Sequence, residues 1–246
     1  MPDVGRMPPL RCAASWVQDD ENFDFGVSAI TKAFGNNVAD DNVVVGGVMW
    51  LSNTITLDSV TKSAGTATIG AVSIVHNPTT QGTIGRAAMF YVEITGAGSL
   101  TMSANFSGSV DAGIIIHEVL GVDLTTPLRG SAMQAQTNPN TGTDALTSGP
   151  LSTAASAGDY LFGYFCDPGI NGATLTQGTG FTLRVITATA QWSESQVAGG
   201  TAATATWNNA FADPISGGLA LRAAGAAGGG KPMLYYQTQA QAAGGM

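Results

Sequence analysis

The stretch from Ser99 to Asp123 constrains the fold more than any other part of the chain. In its first half, apolar residues alternate with polar or small ones, at Leu100, Met102, Ala104 and Phe106. This period of two is typical of a strand with one buried face. Residues 108–113 have turn composition, and residues 113–120 form a nearly continuous apolar run. The sequence therefore predicts an antiparallel pair here, whose second strand is covered on both faces.

Similar apolar runs recur roughly every 8–15 residues, with turn residues between them. The predicted strands lie at 12–17, 23–34, 43–51, 55–60, 71–75, 87–94, 160–166, 181–186, 191–197, 202–207 and 218–223. Residues 18–22 are predicted as an acidic turn and residues 77–82 as a loop. Gly46 and Gly47 indicate a bulge or a close backbone approach. No amphipathic helix is predicted, because glycine and β-branched residues recur too often.

This spacing predicts an all-β antiparallel fold, a sandwich or a barrel, with extended N- and C-terminal arms. Residues 1–9, rich in proline, form the N-terminal arm, and residues 10–224 form the β-domain. The longest irregular segment, 122–158, is predicted as a crossover between the sheets with a surface excursion near 134–144. Residues 225–246 are a glycine-linked C-terminal arm.

Charge is scarce in this sequence and is mostly negative. Only 11% of the residues are charged, and the net charge is −8. No Lys/Arg cluster could neutralise phosphates, so we expect no direct binding of nucleic acid. A surface of Ser, Thr, Asn, Gln, Gly and Ala suits a protein packed against copies of itself or a larger body. It is equally compatible with an ordinary extracellular β-domain.

The N-terminus lacks the pattern of a signal peptide, and no apolar stretch is long enough for a membrane span. We therefore expect a protein made in the host cytoplasm and not exported by a signal peptide. The two cysteines, Cys12 and Cys166, could form a disulfide if their strands are neighbours, or could remain free and buried. Zinc-ligand spacings and phosphate-binding glycine motifs are absent, so no cofactor is predicted.

The candidate catalytic residues do not form a recognisable constellation. His117 lies on the central strand and His76 at a strand end, outside any GxSxG or Cys-His framework. Glu93 and Glu118 could face each other on adjacent strands as a glycosidase pair. Either could instead form a structural ion pair, with Arg86 or Arg184 as its partner. We expect structural roles for these residues and no enzymatic activity.

Two further groups have both a structural and a ligand-binding interpretation. The acidic clusters 19–21 and 40–41 could hold Ca²⁺ through loop oxygens, but no spaced DxDxDG loop is present, so no metal site is predicted. The tryptophans could form a sugar-stacking platform, or could pack in the core as their apolar neighbours favour: Trp16, Trp50, Trp192 and Trp207.

Four segments resemble a repetitive class of jelly-roll-like β-sandwich domains found in tailed-phage virion proteins and bacterial surface proteins. They are NNVADDNVVVGGVMW, ITLDSVTKSAG, MSANFSGSVDAGIIIHEVLGVD and ATATWNNAFADPISGGLALRAA, and the resemblance covers residues 23–223. Its motifs form sheets and carry no site residues. The resemblance implies an antiparallel two-sheet β-sandwich of jelly-roll-like type over residues 10–224 and, with arms at both ends of the chain, a virion component.

The functional expectation is a structural virion protein, specifically a capsid decoration (cement) protein. Its expected partners are copies of itself, as a homo-oligomer, and other virion proteins such as the major capsid or tail protein. The interface anchors are predicted in the C-terminal arm, because aromatic and Met side chains dominate well-packed contacts: Met233, Leu234, Tyr235 and Tyr236. The alternatives are a tail or fibre component, or a carbohydrate-binding module using Trp or Tyr residues in or near the 122–158 crossover.

Overall fold

A computed structural model describes residues 13–82, 84–136, 144–169, 174–186, 190–197, 199–208 and 214–225. Within these residues the chain forms β-strands without a helix, and the strand pairs are antiparallel. The strands are β1 Ser15–Ala33, β2 Val43–Trp50, β3 Leu57–Ala64, β4 Thr68–Ile69, β5 Ser73–Gln81, β6 Gly85–Gly96, β7 Thr101–Leu120, β8 Leu128–Ala135, β9 Asp144–Thr147, β10 Tyr160–Cys166, β11 Thr174–Gln177, β12 Thr182–Ile186, β13 Gln191–Val197, β14 Thr204–Asn208 and β15 Ile215–Leu221. The all-β antiparallel prediction is confirmed.

The strands form three sheets. The first has the order β1-β7-β2-β6-β4, with β3 also paired to β7 and β5 also paired to β6. The second has the order β12-β13-β10-β15-β8, and the third has the order β11-β14-β9. The first and second sheets are consistent with the predicted sandwich, whereas the third sheet was not predicted. Both predicted arms, residues 1–9 and all but Gly225 of 225–246, lie outside the described residues.

Three hydrophobic cores separate the layers. The first core lies within the first sheet itself and includes Val44, Ile114 and Phe90. The second joins the first sheet to the second, where Ile115 of β7 lies in the same cluster as Tyr164 of β10. The third joins β10, β13 and β15 to the small third sheet. The first and second sheets are thus each buried on both faces along their central strands.

The first sheet encloses its own core because it is strongly curled. Strand β7 pairs with β3 through residues 101–106 and with β2 through residues 112–119, while β1 follows β7 along both halves. At the corner, the Asp111 carboxylate accepts a hydrogen bond from the Gly26 N–H at 2.8 Å. Gly26 has a φ of 63°, a left-handed conformation that glycine adopts without strain.

Contacts between the two halves of β1 show how far this strand bends. The ammonium group of Lys32 lies 2.7 Å from the Asp20 carboxylate, although the two residues are twelve positions apart in one strand. The Asn22 amide donates to the Thr31 carbonyl at 3.0 Å. The two halves of β1 therefore contact each other along the outer edge of the strand. These contacts limit the availability of this edge for non-specific pairing with another strand.

The sequence predictions of two turns in this region were wrong. Residues 18–22 continue through β1, and residues 108–113 continue through β7. Residues 18–22 pair with residues 114–118 in regular register. The turn-like composition of 108–113 coincides with the register shifts between Asp24 and Ala29 and with the corner of the curl, where the chain bends without leaving the sheet. The predicted loop at 77–82 is also largely strand, since β5 runs to Gln81 with a bulge between Val75 and Thr79.

The crossover predicted at 122–158 leads from the first sheet to the second, but it is not wholly irregular. It contains β8, the edge strand of the second sheet, and β9, an edge strand of the third. Both are short or half-exposed, so their apolar periodicity is weak. Part of the Ser-, Thr- and Gly-rich sequence of 122–158, which predicted an irregular segment, therefore forms edge strands.

The predicted close backbone approach at Gly46 and Gly47 is confirmed, with no register shift in β2. A Cβ atom at Gly47 would lie 2.4 Å from the Tyr164 ring, and one at Gly46 would lie 2.4 Å from the Ile115 carbonyl oxygen. The absence of a side chain at Gly47 allows the second sheet to pack closely on β2, and its absence at Gly46 leaves room in the first core for the Phe90 ring.

Replacing Gly47 with alanine should therefore destabilise the protein by about 1–3 kcal/mol, because the new methyl group overpacks the second core. Gly35→Ala is the matched control, since a Cβ atom at Gly35 would contact nothing within 4 Å. Urea unfolding of both variants measures the difference. Equal stability of Gly47→Ala and wild type would contradict the close packing described above.

Candidate functional site

The most chemically suggestive group lies between the first and second sheets, around His117 of β7. Nδ1 of His117 is 2.9 Å from the Tyr160 hydroxyl of β10, and Nε2 is 2.7 Å from the Ser193 hydroxyl of β13. Because a hydroxyl can donate or accept, either neutral tautomer of the imidazole is satisfied. A serine oxygen at this distance from an imidazole resembles a nucleophile and its base.

The environment of this group favours a structural role. His117, Ser193 and Tyr160 are each 0% exposed, so a substrate cannot reach the Ser193 oxygen in this conformation. Burial and the nearby charge of Arg184 lower the pKa of His117 to about 3, so the ring is neutral at physiological pH. His117 therefore joins β7 to β10 and β13 as a hydrogen-bonded bridge, which was the structural role expected for it.

The second histidine is placed apart from this group. His76 of β5 has a hydrogen bond of 3.1 Å with the Ser131 hydroxyl of β8, and burial lowers its pKa. This contact joins an outer strand of the first sheet to the edge strand of the second. The structure does not bring the two histidines together.

Glu93 and Glu118 do not face each other. Strand β2 lies between their strands, with Glu93 opposite Val43 and Glu118 opposite Val44. Since Val43 and Val44 point to opposite faces of β2, the two carboxylates also lie on opposite faces of the first sheet. The arrangement of two carboxylates across a groove, considered from the sequence, is therefore absent for this pair.

Glu118 is a buried structural carboxylate. It is 1% exposed and accepts hydrogen bonds from the Gln18 amide at 2.6 Å, the Asn42 amide at 2.7 Å and the Ala39 N–H at 2.8 Å. These donors come from β1 and from the segment between β1 and β2. Glu118 thus attaches this connection to β7, without the arginine partner considered from the sequence.

The two arginines considered as partners lie elsewhere. Arg86 donates to the backbone carbonyls of Asn53 and Ile55. Arg184 donates to the Ser195 hydroxyl at 2.8 Å, and its guanidinium carbon lies 4.3 Å from the centroid of the Trp16 ring. Trp16 in turn donates to the Asp19 carboxylate at 2.7 Å.

The acidic clusters do not converge on one point. Asp19, Asp20 and Glu21 are successive residues of an extended strand, so their side chains alternate between its faces. Burial raises the pKa of Asp19 and of Glu21, while Asp20 pairs with Lys32. Among the described residues, no cluster of three or more metal-type ligands occurs, including around Asp40 and Asp41.

The tryptophans do not form a stacking platform. Trp50, Trp192 and Trp207 are at most 2% exposed and lie in the first and third cores. Trp16 is 37% exposed but is covered on one face by Arg184. The segment 122–158 contains no Trp or Tyr, so the carbohydrate-binding alternative has no aromatic residue within the crossover itself.

Sequence reasoning missed Glu194, the most strongly perturbed carboxylate of the second sheet. It is fully buried on the face of β13 toward the third sheet and accepts a hydrogen bond from the Gly178 N–H at 2.9 Å. Burial raises the pKa of Glu194 to about 8, against the opposing effect of hydrogen bonds from the Gly178 and Thr204 N–H groups. The spacing from Trp192 in QWSESQV was an available signal, since residues two apart share a face.

Several predictions lie outside the described residues. These include the four arm anchors Met233, Leu234, Tyr235 and Tyr236, and Cys12.

Cys166 is buried as a free thiol beside Tyr164, and burial raises the pKa of this thiol. In the part of the chain that is described, no helix is long and apolar enough to cross a membrane.

Comparisons with protein-family models, with curated proteins and with solved structures find no match for this chain. The antiparallel sheets are compatible with the sandwich that the sequence resemblance implies. The association with virions has no support from these comparisons.

Glu194 should make stability fall as pH rises. The pKa of Glu194 is about 4.5 in the unfolded chain and about 8 in the folded protein, so folding takes up a proton between these two pH values. The stability that Glu194 contributes is therefore complete below pH 4.5. This contribution is lost between pH 4.5 and 8. Urea unfolding at pH 5 and pH 9 should show a smaller decrease for Glu194→Gln than for wild type. An identical decrease in the two proteins would contradict this.

His117 should have the opposite dependence. Its folded pKa of about 3 lies below the unfolded value of 6.5, so its contribution is complete above pH 6.5 and is lost as pH falls toward 3. His117→Phe should remove this part of the acid sensitivity and cost about 1–3 kcal/mol for each hydroxyl left unpaired.

A double-mutant cycle with Ser193→Ala tests whether the two side chains act as a bridge. The double variant should lose less stability than the sum of the single variants, because each single change already breaks the same hydrogen bond. Strict additivity of the two losses would show that His117 and Ser193 do not interact in the folded protein.

Proposed function

We propose that this protein is a structural virion protein of a tailed bacteriophage, a capsid decoration (cement) protein that stabilises the particle through contacts of its sandwich and arms. It acts without catalysis, as a homo-oligomer, on copies of itself and on other virion proteins such as the major capsid or tail protein. The observation that carries the proposal is that both candidate catalytic histidines, His117 and His76, bridge the first and second sheets through hydrogen bonds, while Glu118 is buried under three hydrogen bonds within the first sheet.

The scarcity of surface charge supports this function. On the outer face of the third sheet the exposed side chains include those of Thr174, Thr176, Thr204 and Thr206. Thr176 and Thr206 are direct cross-strand partners, so their hydroxyls lie side by side on a small uncharged face. Such a face repels a neighbouring subunit less than the Lys- and Glu-rich surface of an ordinary soluble protein.

Exposed apolar side chains provide further contact area. Phe25 is 63% exposed beside Phe23, with the two ring centroids 5.2 Å apart, and Ile84 is 45% exposed. Single exposed apolar residues are normal in a monomer. In a decoration protein, an aromatic side chain such as Phe25 would be a suitable anchor.

The C-terminal arm is the main proposed attachment element. Its four apolar anchors would contribute a few kcal/mol per copy at about 25 cal/mol per Å² of buried apolar area. Symmetry then repeats the contact many times over the particle. A tail or fibre component would use the same surfaces, and its position in imaged particles would distinguish it from a decoration protein.

Deleting residues 225–246 should leave a folded domain that no longer attaches to particles. The fold should persist because the truncated chain still ends at Ala224, whose N–H donates to the Gly121 carbonyl at 2.8 Å. Circular dichroism and thermal unfolding measure folding, and co-sedimentation with particles lacking this protein measures occupancy.

A matched variant keeps the arm at full length and replaces only Met233, Leu234, Tyr235 and Tyr236 with serine. It should lose occupancy like the truncation, which would assign attachment to the apolar anchors and not to the length of the arm. Unchanged occupancy of both variants on the particle would contradict the proposed role of the arm.

A further inference from the structure

A cavity of about 190 Å³ lies on the first sheet where β3, β5 and β6 meet. Its lining residues are Trp50, Thr56, Leu57, Asn77, Pro78 and Arg86. Trp50 and Leu57 are buried, whereas Thr56, Asn77 and Pro78 are exposed. The cavity thus has an apolar floor and a more polar rim.

The shape of the cavity depends on the bulge in β5. Pairing with β6 is regular up to Val75 and resumes at Thr79, so the three residues between them leave the ladder. The first of these, His76, has a φ of 53°, which is uncommon for a residue with a side chain. The bulge brings Asn77 and Pro78 to the rim, in the way that bulges redirect side chains next to binding sites.

Arg86 is the cationic group of the cavity, and the backbone holds it in place. Its Nη1 donates to the Ile55 carbonyl at 3.0 Å, its Nη2 donates to the Asn53 carbonyl, and its buried Nε has no partner. Trp50 donates to the same Ile55 carbonyl at 2.8 Å. These contacts fix the guanidinium, so a ligand would meet a preorganised donor.

The charge of Arg86 is not neutralised within the described residues. The ion pairs found there are Lys32 with Asp20 and Arg129 with Asp159. The Thr56 hydroxyl already donates to Asp58 at 2.8 Å. The Asn77 amide donates one N–H to the Leu57 carbonyl at 3.4 Å, so its second N–H and the remaining N–H groups of Arg86 are the side-chain donors left for a ligand. Their chemistry suits an anion.

The volume limits the size of that anion. An acidic side chain has about five non-hydrogen atoms and fits this space. A hexose, with about twelve, would need a site nearer the usual range of roughly 300–1,000 Å³.

We propose that this cavity binds a single carboxylate group of the size of an Asp or Glu side chain, with Arg86 as the recognising residue. The planar guanidinium matches the two oxygens of a carboxylate better than a lysine would. As a source we assign an acidic side chain of a neighbouring protein in the assembly. This assignment rests on the proposed function, whereas the carboxylate chemistry does not.

Titration of the ¹⁵N-labelled full-length protein with propionate tests the chemistry, with the Trp50 indole N–H as the reporter. Propionate should shift this resonance in a saturable manner, and the neutral isostere propionamide should not. Absence of a saturable shift with propionate, or an equal response to propionamide, would overturn the proposal without any variant being needed.

Variants then assign the binding to Arg86. Arg86→Met should weaken propionate binding about tenfold or more, because it removes charge-assisted hydrogen bonds, and Arg86→Lys should give an intermediate loss. Arg222→Met is the matched control, since it removes the same charge at a side chain that donates to the Thr126 carbonyl outside the cavity. An equal loss in both methionine variants would count against a site at Arg86.

A second ligand distinguishes the two sources of a carboxylate. N-acetylglutamate N-methylamide carries the acidic side chain within a peptide-like backbone, and it should bind as propionate does. Binding of propionate alone would overturn the assignment to a neighbouring protein and leave a site for a free small acid. Because this test uses the isolated protein, its outcome is independent of the particle occupancy that tests the proposed function.

Discussion

The fold depends on two strands that are shared between two cores. In β7, Ile114 and Ile116 lie in the first core, and Ile115 lies in the second. In β2, Val44 and Val45 are divided in the same way. A strand with apolar residues on both faces must be covered on both faces. The second sheet covers one side, and the first sheet covers the other by curling over itself at the Gly26 and Asp111 corner.

Buried polar side chains connect separate segments of the chain, both between the sheets and within them. His117 joins the first sheet to the second, Glu118 attaches the connection between β1 and β2, and Glu194 reaches from the second sheet to Gly178 beside the third. Asp159, fully buried, pairs with Arg129 and accepts from the Ala223 N–H. Groups of this kind cost stability when they are left unpaired, so they favour one alignment of the sheets over others. The histidine and carboxylate side chains that the sequence suggested as catalytic candidates are thus hydrogen-bonded inside the folded protein.

Periodicity was sufficient to predict the strand class and most strand positions, because alternation and apolar runs report burial directly. It was insufficient at the corners. The glycine and aspartate residues near 108–113 have the composition of a turn, yet here they allow one strand to bend while its pairing partner changes from β3 to β2. The third sheet was missed as a layer because its strands are four or five residues long and each buries only one or two apolar side chains.

The candidate sites show the same limit. The sequence allowed Glu93 and Glu118 to face each other on adjacent strands, but the order of strands places β2 between them. Strand order is not encoded in the local sequence pattern. The partners of His117 lie 43 and 76 residues away, so only the tertiary fold reveals them. The Arg86 cavity likewise needs three separate segments and a bulge. Glu194 was missed for a different reason, because its spacing from Trp192 was a local signal of an apolar face that was not used.

The central claim is that this protein acts as a building unit of a particle. Quantitative mass spectrometry of purified tailed-phage particles from the source of this chain, combined with imaging of their surface, tests it most directly. The account predicts many copies per particle, in a fixed ratio to the major capsid protein and at symmetric surface positions. A protein that is absent from the particles and is recovered free as a monomer would contradict it.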